Sequence, residues 1–256
     1  MSHHLDSPIA RQDIRLDITD LYVFRGETGT VFAINVCHSI FGKIPTPGYH
    51  PEGMYEFKVD LDGDAVEDVT YRIFAGHTVY SIVLEVSDAE LLAGTSGNKR
   101  IGVWAVATLA TDAGGWRPIN RVGKPMIHPL FTQFNEDLGN RLNAGRPADD
   151  FATYGDRVVK AIAGVVAANG TSEDPQGYGA KVAHRFFPNI LPYVIGTRAT
   201  FGFAEWNGRS LTDNAPDVMF SIASNTPVRL GIGTESVTSK PSAIFPYMPS
   251  ASYLIQ

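Results

Sequence analysis

Met54-Tyr55-Glu56-Phe57-Lys58-Val59, then Asp60-Leu61-Asp62-Gly63-Asp64-Ala65-Val66-Glu67-Asp68, then Val69-Thr70-Tyr71-Arg72-Ile73-Phe74 form one unbroken stretch whose reading decides the fold. The outer runs are rich in β-branched and aromatic residues, as strands are. Between them Asp-Gly is a strong turn signal. The stretch therefore predicts a β-hairpin with an acidic turn. Asp60, Asp62 and Asp64 alternate, and Glu67 and Asp68 follow within reach. Such a turn gathers hard oxygens around one point, which suits calcium, and without a cation the carboxylates repel one another. A turn whose acids simply face water explains the same letters. A helix-loop-helix calcium hand does not, because its twelfth loop position needs Glu and here holds Tyr71 between strand-like flanks. Asp60, Asp62, Asp64 and Asp68 are the expected ligands of a divalent ion.

Outward from this hairpin, residues 21–24 and 30–36 flank the short turn Gly26-Glu27-Thr28-Gly29, and residues 78–86 and 101–108 continue the strand pattern. Strands at hairpin spacing predict an antiparallel sheet or sandwich. After Trp116 the apolar spacing widens, which favours helices over 125–142 and 149–168, with Asp149 and Asp150 at a start and Asn169-Gly170 at an end. Residues 170–180 read as a loop. Pro188 and Pro192 break any helix over 184–194. A further helix is expected over 210–222, capped by Thr212 or Asp213 with Pro216 in its first turn. The tail from Lys240 reads as a surface wrap. The expectation is one α+β domain over 1–256, β-rich to residue 116 and mainly helix and loop from 117, with helices packed against the sheets.

A chain of 256 residues with 44% hydrophobic content can bury a substantial core. Its net charge of −6 argues against a nucleic-acid partner, which calls for a basic patch. Cys37 stands alone, so neither an intramolecular disulfide nor a thiolate zinc site is available, and its apolar surroundings suit a buried structural thiol. The first twenty residues lack a signal-peptide core and no run is long enough to cross a bilayer, so a cytoplasmic protein without a membrane partner is expected.

Other positions carry potential chemistry. His3, His4 and Asp6, with Asp20 nearby, offer nitrogen and oxygen ligands to a metal, although adjacent side chains diverge and a loose terminus explains them as well. His50 suits a general base or ligand, or a plain turn residue. Arg121, in Arg121-Val122-Gly123-Lys124-Pro125, read as a basic loop between sheet and helices, suits an anion holder or a salt bridge. Asp213 and Asp217 are four apart, the spacing of one helix face, while helix capping accounts for Asp213 alone.

Several segments together resemble a bacterial family known as domain of unknown function 4331. They are Ser2-His3-His4-Leu5-Asp6-Ser7-Pro8, Asp17-Ile18-Thr19-Asp20-Leu21-Tyr22-Val23-Phe24, the acidic hairpin, Asn120-Arg121-Val122-Gly123-Lys124-Pro125 and Gly208-Arg209-Ser210-Leu211-Thr212-Asp213. The resemblance spans nearly the whole chain. It implies one continuous domain and supplies positions, not a reaction.

The leading expectation is a calcium-dependent enzyme of lyase, cyclase or hydrolase type acting on a small molecule. His50 would be acid or base, Arg121 the anion holder and Asp213 a ligand or base; His3, His4 and Asp20 would join the metal-binding groups. The alternative is a calcium-stabilised binding or scaffold module without chemistry. An enclosed pocket holding several of these side chains favours the first.

Overall fold

The computed structural model describes residues 7–37, 49–74, 81–236 and 240–248. Strands β1 (Ile18–Arg25), β2 (Gly29–Val36), β3 (Gly53–Asp60), β4 (Val69–Phe74), β5 (Ser81–Ser87), β6 (Arg100–Ala110) and β7 (Trp116–Val122) occupy the first half. Helices dominate the second: α3 (Ile127–Phe131), α4 (Glu136–Ala144), α5 (Asp150–Asn169), α6 (Pro175–Phe186) and α7 (Ala215–Ser224). Two short helices, α1 (Pro8–Gln12) and α2 (Asp88–Gly94), lie among the early strands. The late strands are β8 (Leu191–Val194), β9 (Thr200–Phe201) and β10 (Trp206–Asn207). The protein is α+β, with antiparallel sheets first and helices later.

β1, β2 and β5 form a three-stranded antiparallel sheet. Its register sets Leu21 opposite Ile34 and Val23 opposite Phe32, so one face presents a continuous apolar surface. The second sheet runs β4-β3-β6-β7. Its β6 pairs with β3 along one edge and with both β7 and β8 along the other, β8 covering residues 100–103 and β7 residues 105–110. Phe32 bridges the two sheets, its ring 5.9 Å from Phe57 and 6.2 Å from Tyr71. Burying these rings against each other is the sandwich solution to two one-sided sheets. The same buried cluster continues through Ile162 in α5 and Phe186 in α6 to Ile222 in α7. No helix among the described residues is long and apolar enough to cross a membrane.

Strands 21–24, 30–36, 54–59, 69–74 and 101–108 fall where alternation predicts them. Of 78–86, residues 78–80 lie outside the described residues. The expected helix over 125–142 is two helices, separated by a turn and an Asn135 cap that accepts from Leu138 N. Of the expected loop over 170–180, residues 170–174 are loop, but 175–180 are the first half of α6, capped by Asp174. Its two glycines look helix-breaking, yet Gly179 sits where a Cβ would come 2.6 Å from the Val159 carbonyl of α5. Close helix contact, not flexibility, selects glycine there. Of the expected basic loop, Gly123, Lys124 and Pro125 do lie in the connection between the sheet and α3, but Arg121 and Val122 are the end of β7, whose Pro118 is tolerated because among the described strands β7 pairs only with β6. The irregular stretch before Val194 contains β8, with Pro192 opposite Gly102. α7 is capped by Asn214, which accepts from Asp217 N, rather than by Thr212 or Asp213. Asp213 therefore precedes the helix and shares no helix face with Asp217.

Candidate functional site

The acidic hairpin is a ladder of side-chain-to-backbone bonds. Asp60 is fully buried at the end of β3 and accepts from Asp62 N at 3.2 Å, Gly63 N at 2.6 Å and Ala65 N at 2.9 Å. Asp62 accepts from Asp64 N at 3.2 Å, Asp64 from Val66 N at 2.8 Å, and Asp68 closes the loop by accepting from Leu61 N at 2.7 Å. Gly63 at φ 94° and Ala65 at φ 63° supply the left-handed turns this winding needs. Asp60, Asp62 and Asp68 each offer an oxygen, all within 4.8 Å of one another. Asp64 is not in that group. Burial pushes the Asp60 carboxyl above its usual range, against the pull of the Gly63, Ala65 and Asp62 N–H groups. A cation would act in the opposite direction to burial.

The other expected metal and catalytic residues lie elsewhere. His3 and His4 fall outside the described residues. Asp20 is buried and accepts from Arg209 Nη1 at 2.9 Å, with the Arg209 guanidinium 4.6 Å over the Tyr22 ring. His50 lies beside Asp13, Nε2 to Oδ2 3.7 Å, and its Nδ1 accepts from Glu52 N at 3.2 Å. Arg121 is buried in a two-pronged pair with Asp150 at 2.7 and 3.1 Å, and it also donates to the Leu142 carbonyl. A guanidinium so engaged has the geometry of a structural tie, not of an anion holder. Asp213 accepts from Ser210 N at 2.8 Å in the turn before α7. His50, Arg121 and Asp213 thus each have their own partners, and neither His50 nor Asp213 lines any of three cavities found among the described residues. Cys37 is buried, and burial first, with Asp13 nearby, pushes its thiol up to about 11.

One cavity, about 850 Å³, runs between α6 and α7 and is lined by Tyr178, Arg185, Phe203, Val218 and Ile222 among others. A second, about 530 Å³, lies on the outer face of β3 and β6 around Trp104. The third, about 510 Å³, abuts the acidic hairpin: Asp60 and Gly63 form one wall, and Arg100, Lys124, His184 and Trp206 form others. Lys124 is buried there and donates from Nζ to the Phe186 carbonyl at 3.2 Å and the Pro188 carbonyl at 2.5 Å. Burial lowers its pKa to about 7; Asp150 opposes that shift, while Arg100 and Arg185 add to it. Trp206, stacked on Phe201 with Arg185 4.4 Å over its ring, buries an indole N–H that has no hydrogen-bond partner among the described residues. The sequence gives only a faint sign of this cavity, a single Lys between Gly123 and Pro125 in an otherwise uncharged run from 122 to 135 that includes His128.

A scan against protein-family models, a search of curated proteins and a search of solved structures each returned no match.

Proposed function

We propose that the protein is a calcium-stabilised domain that binds a small molecule, with the turn from Asp60 to Asp68 as the ion's loop. One observation carries the reading: three carboxylates offer oxygens within 4.8 Å of one another, and main-chain N–H groups hold each of them in place. At that separation two full charges repel by roughly 1 kcal/mol in water and about 3 kcal/mol at an effective dielectric of ~20. A divalent ion turns this cost into binding energy, and oxygen-only ligands select calcium or magnesium over zinc. Asp60 also walls the third cavity, so an ion in the loop would stiffen one side of a ligand site. The resemblance to domain of unknown function 4331 belongs to this proposal and attaches no reaction to it.

The test is thermal unfolding in calcium chloride against sodium chloride of equal ionic strength. Free ion at a hundred times its dissociation constant stabilises the fold by about 2.7 kcal/mol. Asp62→Asn should abolish the calcium-specific rise, and Asp64→Asn, outside the converging set, should keep it. Equal melting in the two salts would sink the reading. The catalytic reading is favoured by a different observation, the buried Lys124 amine in the adjoining cavity.

A further inference from the structure

Lys124 combines features that ordinary surface lysines lack. Its Nζ is buried, makes no ion pair among the described residues, and meets two main-chain carbonyls. A neutral amine has two N–H groups, which those carbonyls satisfy, and its lone pair then points away from both. An ammonium would carry a third N–H that meets no carbonyl or carboxylate among the described residues, only the face of the Trp206 ring. The Trp206 ring centroid lies 5.9 Å from Nζ, so one small molecule can touch both side chains. Trp206 is only 6% exposed, and its Nε1–H, a donor only, lacks an acceptor among the described residues. Leaving a buried donor unmade costs about 1–3 kcal/mol, which a ligand oxygen would recover. Arg100 and Arg185 line the same cavity without an ion pair among the described residues; Arg185 is held by the Phe203 carbonyl, 2.7 Å from its Nη2, and by the Trp206 ring, which leaves Arg100 as the cation to meet a ligand.

We propose that this cavity is a carbonyl-capture site for a small 2-oxo acid, with Lys124 as the nucleophile, Trp206 Nε1–H on the carbonyl oxygen, and Arg100 facing the carboxylate. The lone pair of Nζ forms a bond to the carbonyl carbon as the carbon–oxygen π pair moves to oxygen, where the indole N–H stabilises it. Proton transfer from nitrogen to oxygen gives the carbinolamine, and loss of water gives the imine. The step is a condensation: ketone or aldehyde plus amine yields imine plus water, with no change in oxidation state. The charged groups around the amine are Asp150 from α5, Arg100 from β6 and Arg185 from α6, with Asp60, His184 and Glu205 on the cavity wall. Burial, with Arg100 and Arg185 adding to it, outweighs the pull of Asp150, so a sizeable fraction of the amine is neutral and nucleophilic near pH 7.

The proposal does not rest on the calcium reading. The trap described next is run with calcium and with chelator, and the melting comparison above decides the ion separately. The protein is incubated with glyoxylate and sodium cyanoborohydride at pH 7, and the reduced adduct is located by peptide mapping. The expected result is one adduct, on Lys124, forming at least about 10-fold faster than on any other lysine, since an ordinary lysine is almost wholly protonated there. Lys124→Met should abolish it and Trp206→Phe should slow it by roughly 10-fold or more. Acetaldehyde, which lacks the carboxylate, should trap more slowly at Lys124 than glyoxylate. Mapping on the unmodified sequence decides the matter even where Lys124→Met fails to fold. Adducts spread over other lysines with Lys124 unlabelled would overturn the site. Equal trapping of the two aldehydes at Lys124 would overturn the 2-oxo acid assignment.

Discussion

Arg121→Met separates a structural arginine from an anion-holding one. Arg121 and Asp150 are each 1% exposed as side chains, and two N–H···O bonds of 2.7 and 3.1 Å join them. Arg121 also gives Nε and Nη2 to the Leu142 carbonyl at 3.0 and 2.7 Å. Methionine fills much of the same volume but supplies none of these donors. The Asp150 carboxylate would remain buried with the Asn189 N–H, 2.9 Å from Oδ2, as its main contact. Stripping one partner from a buried ion pair costs about 3–5 kcal/mol, because the remaining charge stays desolvated. For a chain of this length that corresponds to a fall in melting temperature of roughly 6–20 °C. Replacing both partners, Arg121→Met with Asp150→Leu, should be less damaging than Arg121→Met alone, since no charge is left behind. Urea unfolding followed by circular dichroism and tryptophan fluorescence measures both, with coincident curves checking the two-state assumption. A loss below about 1 kcal/mol for Arg121→Met would refute the structural assignment and return the guanidinium to ligand binding.

Lys124 holds its proton more weakly in the folded chain than in the unfolded one. Between about pH 7 and pH 10 the unfolded state therefore binds the extra proton, and this group makes stability rise with pH, by at most about 1.4 kcal/mol per unit. Below pH 7 its contribution is flat. Lys124→Met should lose that rise between pH 7.5 and 9.5 in urea titrations, a window chosen as about the range below tyrosine ionisation; parallel pH slopes for the two proteins would contradict it. Gly179→Ala puts a methyl group 2.6 Å from the Val159 carbonyl and should cost about 1–3 kcal/mol by prising α6 from α5, read as a lower urea midpoint. His50→Ala should cost less than about 1 kcal/mol, since the 3.7 Å approach to Asp13 is a long, partly exposed pair, and a larger loss would show that His50 does more than brace its turn.

The strands were legible because their signals are local. Alternation from Met54 to Val59 and from Val69 to Phe74, with Asp62-Gly63 between them, determines the hairpin with little help from the rest of the chain. The carboxylate ladder was legible in part. Asp60, Asp62 and Asp68 converge as their spacing suggested, but the winding through left-handed Ala65 turns Asp64 towards Val66 N and out of the group. Such a turn is set by backbone angles that residue types alone do not specify. β7 and α6 were missed where tertiary contact overrides propensity: Pro118 on an edge strand, and Gly177 and Gly179 in a helix pressed on α5. The Arg121–Asp150 pair and the Lys124–Trp206 cavity join positions far apart in sequence, 29 apart for the ion pair. No spacing rule within a helix or strand reaches that far.

The interior between β7 and the helices contains the end of β7, the end of α6 and the loops that follow them. Segments 120–124 and 186–190 run there, and buried loop backbone must find partners within the protein. Asn120 Oδ1 accepts from Ile18 N, Asn143 Oδ1 from Arg121 N, and Asn189 Oδ1 from Lys124 N, all three side chains being buried. Uncharged amides thus staple interior backbone at three places, and buried carboxylates do so at others, Asp150 on Asn189 N among them. Lys124 also staples, through the carbonyls of Phe186 and Pro188, but it does so with a group whose charged form is penalised by the burial around it. A purely architectural role calls for another amide, which would donate to the same carbonyls without a titration penalty. The amine is spent where a cavity opens and where a buried indole N–H also lacks an acceptor among the described residues. The Nδ2 groups of Asn120, Asn143 and Asn189 also have no hydrogen-bond partner among the described residues, so it is the buried amine beside an open cavity, rather than the orphaned indole N–H alone, that a carbonyl compound in that space would explain.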